Sequence, residues 1–432
     1  MNKVIIIGAG LAGCEAAVRI ADAGFMVELV EMKPLKKSPA HKMDSFAELV
    51  CSNSLKADRI SSAAGLLKAE MRYFNSVCLD AAEKCSVPAG GALAVDRDEF
   101  SKIITQRILE HPNISVIKRI ETQIPDDSVC LVATGPLTDD GLANHIRELC
   151  GNQTLSFFDA AAPIITAESI DMSIAFCASR YDKGDADYIN CPMTKDEYTA
   201  FYNELVSAQT AELHSFEKDV TVYEGCMPIE IMAKRGEDSI RFGPLKPVGL
   251  RDPRTGNRPW AVVQLRKENH DGTLYNIVGF QTNLKFSEQK RVFSLIPGLA
   301  NAEFMRYGVM HRNTFIDSPR LLSSNLSLKS NPKVFFAGQI TGFEGYMESA
   351  ACGILAGENI IRYLRGEEPL CLPEFTMLGG LLGYVTDETV KDFQPMGANF
   401  GIVPALDVRI KDKVERYTKL SERSLEWFKN NI

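Results

Sequence analysis

The sequence has no C-x-x-C pair, no Cys/His cluster at zinc spacing, and no apolar run near the ~18 residues that a membrane helix needs. Its 11 cysteines are an odd number, which argues against a disulfide framework. They read as reduced thiols of a cytoplasmic protein, most of them plain core residues, with no structural metal expected. No basic segment precedes the first apolar run, residues 3–7, and glycines interrupt that run at once, so it is neither a signal peptide nor a membrane span. A global excess of positive charge is also missing. The formal net charge is −8, so any contact with nucleic acid must use a local patch. No internal repeat is found.

What is present begins at the first residues. The nearly all-apolar run 3–7 suits a strand buried on both faces of a parallel sheet. It leads into Gly8-Ala9-Gly10-Leu11-Ala12-Gly13, a G-x-G-x-x-G pattern, then a helix to about Ala23 and a second strand ending at Glu31. In such a unit Gly8 makes the tight turn, Gly10 lets a pyrophosphate approach the backbone, and Gly13 lets helix and strand pack closely. The helix N-terminus offers unpaired N–H groups to phosphate, and an acid about 20 residues on grips a ribose hydroxyl. Strand, helix, strand and acid agree, which points to a dinucleotide site.

The 432 residues are too many for one compact core. The expected fold is α/β: a discontinuous Rossmann-like domain, residues 1–168 and 301–432 with C-terminal helices, interrupted by an inserted α+β domain, 169–300. Within the first part, Cys51-Ser52-Asn53-Ser54 reads as turn and N-cap chemistry opening a helix over 55–74, which places Cys51 at a helix start, where a dipole lowers a thiol pKa. The alternative for Cys51 is a buried small hydrophobe. In the insertion, a helix is expected over 196–213, strands over 260–265 and 275–282 form a hairpin across Asn269-His270-Asp271-Gly272, and a strand over 220–230 bends at Cys226. Residues 234–267 hold nine Lys/Arg against three acids, a net of +6, leaving −14 for the rest. Lys234, Arg235, Arg251, Arg254 and Arg258, interleaved with Phe242 and Trp260, therefore suggest a face for a polyanion, nucleic acid above all.

After residue 319 the α/β pattern returns. A buried strand over 333–339 ends in Gly338-Gln339, and the chain continues from Ile340 through Gly345-Tyr346 into a helix over 347–364. A strand, a Gly-rich turn and a helix N-terminus form the closing element usual in flavin domains, where the dipole stabilises a reduced ring.

At this point the motifs Gly8 to Ala17, Leu49-Val50-Cys51-Ser52-Asn53-Ser54-Leu55-Lys56-Ala57, Tyr223-Glu224-Gly225-Cys226-Met227-Pro228, Gly338 to Tyr346, and Asn399-Phe400-Gly401 resemble those of the folate- and flavin-dependent tRNA uracil-5-methyltransferases. The sister family that modifies the wobble uridine shares the flavin motifs but is longer. The resemblance implies C5-methylation of a T-loop uridine in tRNA. Methylenetetrahydrofolate is then the carbon donor, and reduced FAD, replenished by NAD(P)H, is reductant and methylene carrier. Uracil C5 is a poor nucleophile until a thiolate adds at C6. The resemblance gives that addition to Cys226 and removal of the C5 proton to Cys51. It implies FAD contacts at Gly8, Ala9, Gly10, Leu11, Ala12, Gly13, Glu31, Gly338, Gln339, Ile340, Gly345 and Tyr346, and pterin stacking at His311 and Tyr346. His311 as a core histidine, a ribosomal RNA target, a flavin-dependent NAD(P)H oxidoreductase, and a non-catalytic RNA-binding flavoprotein stay open as alternatives. The oligomeric state is not legible.

Overall fold

The apolar run forms the strand Lys3–Ile7, with Val4 to Ile7 buried. The structure, a computed structural model, describes residues 3–38, 40–151, 154–182, 185–211, 227–391 and 393–432. Lys3–Ile7 lies inside a six-stranded sheet ordered Ser327–Leu328, Asn331–Phe336, Cys130–Val132, Lys3–Ile7, Met26–Glu31, Ile114–Lys118. The pairings are parallel except for the hairpin at the first edge. Both Val334 and Ile5 register with Cys130, so a strand from the last quarter of the chain completes a sheet begun by the first.

The helix Leu11–Asp22 starts at Gly10 with no side-chain cap, which leaves its first N–H groups open. The closing helix Tyr346–Arg365 crosses it at small residues. A Cβ on Gly353 would stand 2.2 Å from the Ala12 carbonyl oxygen, so this approach requires glycine. The crossing holds both helix N-termini at the same end of the sheet.

A second six-stranded sheet is ordered Phe176–Cys177, Tyr188–Met193, Ala261–Lys267, Leu274–Ile277, Ile164–Thr166, Phe304–Arg306. Its strands thus begin before residue 169 and end after residue 300. Its pairings are antiparallel, and the hairpin around Gly272 has Lys267 opposite Tyr275. The helix Lys195–Ser207, opened by a Thr194/Glu197 capping box, buries Tyr198, Phe201 and Leu205 against this sheet's core, which includes Phe280 and Phe293. The two crossings between the sheets, Thr154–Ala160 outward and Met310–Ile316 on return, pair antiparallel with each other.

The helix expected over 55–74 is corrected. Ser54–Ala57 is a strand paired with Ala92–Val95, and the helix Ala63–Tyr73 begins only after Ser62, whose side chain accepts from the Gly65 N–H. Lys56 has a φ of 64°, a left-handed conformation that no α-helix accommodates. Cys51 therefore precedes a strand and not the start of a helix. The expected strand over 220–230 and its bend at Cys226 fall mostly on residues 212–226, outside the described residues. Among the described residues no helix is long and apolar enough to cross a membrane, and no group of three or more His, Cys, Asp or Glu could hold a metal ion.

Candidate functional site

Three adjoining hollows make one groove across the C-terminal end of the first sheet. The first, at the ribose-binding end of such a fold, is lined by Gly8, Ala9, Gly10, Glu31, Thr134 and Asp139. The second shares Gly10, Ala133, Thr134 and Leu137 with it and adds Leu11, Ala12, Gly338 and Gln339. The third shares Pro136, Leu137, Gln339 and Tyr346 with the second and reaches Cys51, Lys56, Gln281, Asn313 and Gly345.

The residues present fit an extended dinucleotide. Gly8 has φ 104°, and a Cβ there would lie 2.6 Å from the Ala133 carbonyl oxygen; at Gly13 a Cβ would lie 1.9 Å from the Gly8 carbonyl oxygen. These two glycines are needed by the protein itself. Gly10 is different: a Cβ would meet nothing within 4 Å, and its φ is an ordinary −77°. The open space in front of Gly10 is space for a ligand. Gly10→Ala protein is therefore expected to fold with its melting temperature nearly unchanged when stripped of cofactor, yet to bind a flavin dinucleotide at least about tenfold more weakly. Flavin fluorescence titration beside a thermal melt reads both quantities.

Glu31 accepts from the N–H groups of Ala9 (2.8 Å) and Lys33 (2.9 Å), which fixes its carboxylate at the groove. Each oxygen keeps a lone pair for a ribose hydroxyl. At the other end Gly338 (φ 84°) brings the backbone against Ala12, where a Cβ would stand 2.9 Å from the Ala12 Cβ. Ile340 is buried in the core behind this turn and lines none of the three hollows.

Cys51 and Tyr346 meet in the third hollow although 295 residues separate them. Tyr346 Oη accepts from the Cys51 N–H at 2.7 Å and the Ser52 N–H at 3.3 Å, and lies 2.9 Å from Cys51 Sγ. A phenol oxygen that accepts twice has its own O–H left to give, and the sulfur is the atom in reach. Burial first, then the charge of Cys51, push the Tyr346 pKa well above the usual tyrosine range, so the hydroxyl stays a donor. A donor to sulfur favours thiolate over thiol. The local field that the sequence reading sought in a helix start comes from this tyrosine.

The loop that carries Cys51 is clamped between the second sheet and the strand Ala92–Val95 with the helix Arg97–Leu109 that follows it. Asn53 donates to the carbonyls of Val95 (3.1 Å) and Lys267 (2.8 Å). Arg266 donates to Asn53 Oδ1 (2.9 Å) and Ser52 Oγ (2.8 Å), and Arg97 donates to the Leu49 carbonyl (2.9 Å) while forming a buried ion pair with Glu268. Across the hollow, Glu348 is buried and holds Lys56 at 2.6 Å. On the far wall the Ile229 N–H donates to the Gln281 carbonyl (2.7 Å), and Glu230 accepts from Thr282 and Asn283. The described chain that resumes at Met227 is thus tied to the wall of the Cys51 hollow. Cys226 itself lies outside the described residues, as do the side-chain surroundings of His311, which occupies the return strand Met310–Ile316.

The basic segment is corrected in part. Arg266 is buried and belongs to the clamp, not to a surface. Arg241 is half-buried, with its guanidinium 3.8 Å from the Trp260 ring centre and 5.0 Å from that of Phe242. Lys234, Arg235, Arg251, Arg254 and Arg258 are exposed, and so is Phe242; Arg254 pairs with Asp252 at 2.7 Å. Arg251 and Arg258 line a cleft with Tyr181.

Sequence reasoning missed the Cys51–Tyr346 contact, the clamp of Asn53, Arg97, Arg266 and Glu268, and the polar wall of Gln281 and Asn313. No spacing signal links residues hundreds of positions apart.

Comparison with known proteins agrees with this architecture. A family model described as GIDA, glucose inhibited division protein A, matches residues 3–368. The methylenetetrahydrofolate–tRNA-(uracil-5-)-methyltransferase TrmFO of Caldicellulosiruptor bescii is 59% identical over 425 residues, 98% of this chain and 97% of that protein. Its namesake from Acetivibrio thermocellus is 56% identical over 432 residues, 100% of this chain and 99% of that protein. The crystal structure of Aquifex aeolicus GidA in form I superposes with a TM-score of 0.70 at 17% identity, covering 99% of this chain and 78% of that one, which is a likeness of fold. The chain belongs to the glucose inhibited division protein A family, and within it to the methylenetetrahydrofolate–tRNA-(uracil-5-)-methyltransferases that it matches over its full length.

Proposed function

We propose that this protein methylates C5 of a uridine in the T-loop of tRNA, in the cytoplasm, with FAD along the groove. The observation that carries the reading is the Cys51–Tyr346 pair at the end of a dinucleotide groove, in a chain 56–59% identical to relatives named for that reaction. When bound, FAD would supply the hydride that takes a methylene from methylenetetrahydrofolate to a methyl, with NAD(P)H as the source of electrons.

The chain's own residues handle the base and the protons. Cys226 is the nucleophile on the strength of the resemblance. Its thiolate adds to C6, the C5–C6 double bond opens, and the electron pair makes C5 nucleophilic. Once C5 carries the new carbon, Cys51 removes the C5 proton. The Tyr346 O–H at its sulfur and the two N–H groups on Tyr346 Oη hold that thiolate in place. Elimination of Cys226 then restores the double bond. His311 stacks on the pterin in this reading. Tyr346 is assigned first to Cys51, which its hydroxyl touches, and only its ring remains for folate.

RNA docks on the exposed basic residues Lys234, Arg235, Arg251, Arg254 and Arg258. Phosphate contacts release counterions, so tRNA affinity is expected to fall about tenfold or more between 50 and 200 mM salt. Replacing Arg251 and Arg258 together by Gln should flatten that slope by about 2. A salt-independent affinity in the intact protein would remove the basic-face argument.

The test of the function is methyl transfer to unmodified tRNA transcript with methylenetetrahydrofolate, FAD and NAD(P)H, and without S-adenosylmethionine. A 5-methyluridine in the T-loop is the expected product. No product from FAD-loaded protein, or methylation of ribosomal RNA alone, would contradict it.

A further inference from the structure

Asn313 sits on the return strand Met310–Ile316 with 1% of its surface exposed, and it lines the Cys51 hollow. Among the described residues neither its Nδ2 nor its Oδ1 has a hydrogen-bond partner. Among the described residues it is the only buried carboxamide with both atoms unpaired. Asn53 bonds Val95, Lys267 and Arg266, Asn190 bonds three carbonyls, and Asn359 accepts from Leu370 with its Nδ2 unpaired, while Asn276 leaves only its Nδ2 among the unpaired atoms. A buried amide with nothing to bond is costly, and an apolar residue of the same shape would avoid that cost. The backbone around it is fixed, since Asn313 pairs in register with Phe157 and the Thr314 N–H donates to the Pro136 carbonyl at 3.0 Å. A well-anchored backbone thus holds an unpaired amide against an open hollow.

We infer that Asn313 is a specificity-determining residue that reads the adjacent N–H and C=O of a lactam ring bound beside Cys51. A primary carboxamide presents one acceptor and one donor side by side, and the complement is a donor next to an acceptor on one ring edge. A phosphate or carboxylate would leave the Asn313 oxygen unmatched, and an apolar group would leave both atoms unmatched. The inference rests on the function proposed above, in which three rings carry this edge: the pyrimidine part of the flavin, the pterin of the folate and the target uracil. The chemistry is shared, and the experiment separates the sources.

The test uses the full-length protein as wild type, Asn313→Leu and Asn313→Asp. Leu keeps the bulk and removes both polar atoms, while Asp keeps an acceptor and loses the donor. Three affinities are measured on each: FAD by flavin fluorescence, tetrahydrofolate by its perturbation of the flavin absorbance, and a 5-fluorouridine T-loop RNA by gel shift. One of the three is expected to weaken about tenfold to a hundredfold in both variants, the discrimination of a bidentate amide pair, and the other two to stay within about threefold. The weakened one identifies the ring. The melting temperature of Asn313→Leu without that ligand should equal or exceed that of wild type. Wild-type affinities at all three sites in both variants would overturn the inference, and so would a fall in melting temperature with no change in affinity. Failure of the wild type itself to bind FAD and folate would instead count against the proposed function.

Discussion

The Cys226→Ala protein is expected to form no covalent adduct with a T-loop RNA that carries 5-fluorouridine, and to lose methyl transfer by about 10³-fold or more. Fluorine at C5 cannot leave as a proton does, so a base attacked at C6 that has also received the new carbon at C5 cannot expel the sulfur and runs as a protein–RNA band on a denaturing gel. Without a thiolate at C6, no such bond can form and C5 never becomes nucleophilic. FAD and RNA binding should persist, because neither needs that sulfur. An undiminished adduct in Cys226→Ala would move the nucleophile to another cysteine. Cys51 is the one described cysteine lining the hollow, so the double variant would decide between them.

The second large effect belongs to Cys51 and differs in kind. Cys51→Ala should lose about 10²- to 10⁴-fold in turnover, the range for removal of a positioned acid or base, but should still trap 5-fluorouridine RNA through Cys226. Tyr346→Phe is expected to fall between this variant and wild type. It removes the O–H that points at Sγ and the oxygen that accepts from two backbone N–H groups. Loss of a hydrogen-bond donor to a thiolate raises the thiol pKa, so the rising limb of the rate–pH profile should shift to higher pH in Tyr346→Phe. A merely structural tyrosine would lower the rate at every pH and leave the limb where it was. Rate and adduct changing together in Cys51→Ala would mean that Cys51 acts before the attack at C6.

How far the sequence can be read differs from residue to residue. Gly8, Gly13, Glu31 and Gly338 were legible because each answers a local demand of the backbone: a left-handed φ, a close approach or an acid at a strand end. The hairpin around Gly272 was legible for the same reason. The helix over 55–74 was misread because Ser52 and Ser54 look like caps, while the feature that forbids a helix is the left-handed backbone at Lys56. Arg266 was counted on a basic face because charge is normally solvated, but Ala261–Lys267 is an interior strand and its arginine is spent on Asn53 and Ser52. Tyr346 was read as a stacking residue. Its contact with Cys51 depends on the crossing of Leu11–Asp22 with Tyr346–Arg365, which no local pattern encodes.

The clamp gives the second sheet a mechanical role in the site. Arg266 and Lys267, which end the strand Ala261–Lys267 of the second sheet, and Glu268 just after them hold Asn53, Ser52 and Arg97 of the N-terminal part. The loop bearing Cys51 is therefore positioned by the second sheet and by Val95 and Arg97 at once. A buried pair such as Arg97–Glu268 costs most when one partner is removed, because the other is left charged and unpaired.

The most direct test of the account follows the hydrogen that must leave. Unmodified tRNA carrying tritium at uracil C5 is incubated with the protein, FAD, NAD(P)H and carbon-14 methylenetetrahydrofolate, and released tritium is counted against carbon-14 in the RNA. The account predicts one tritium released per methyl incorporated, at a T-loop uridine, with no need for S-adenosylmethionine and with release lost in Cys51→Ala. Methyl incorporation without tritium release, or release that continues unchanged in Cys51→Ala, would contradict it.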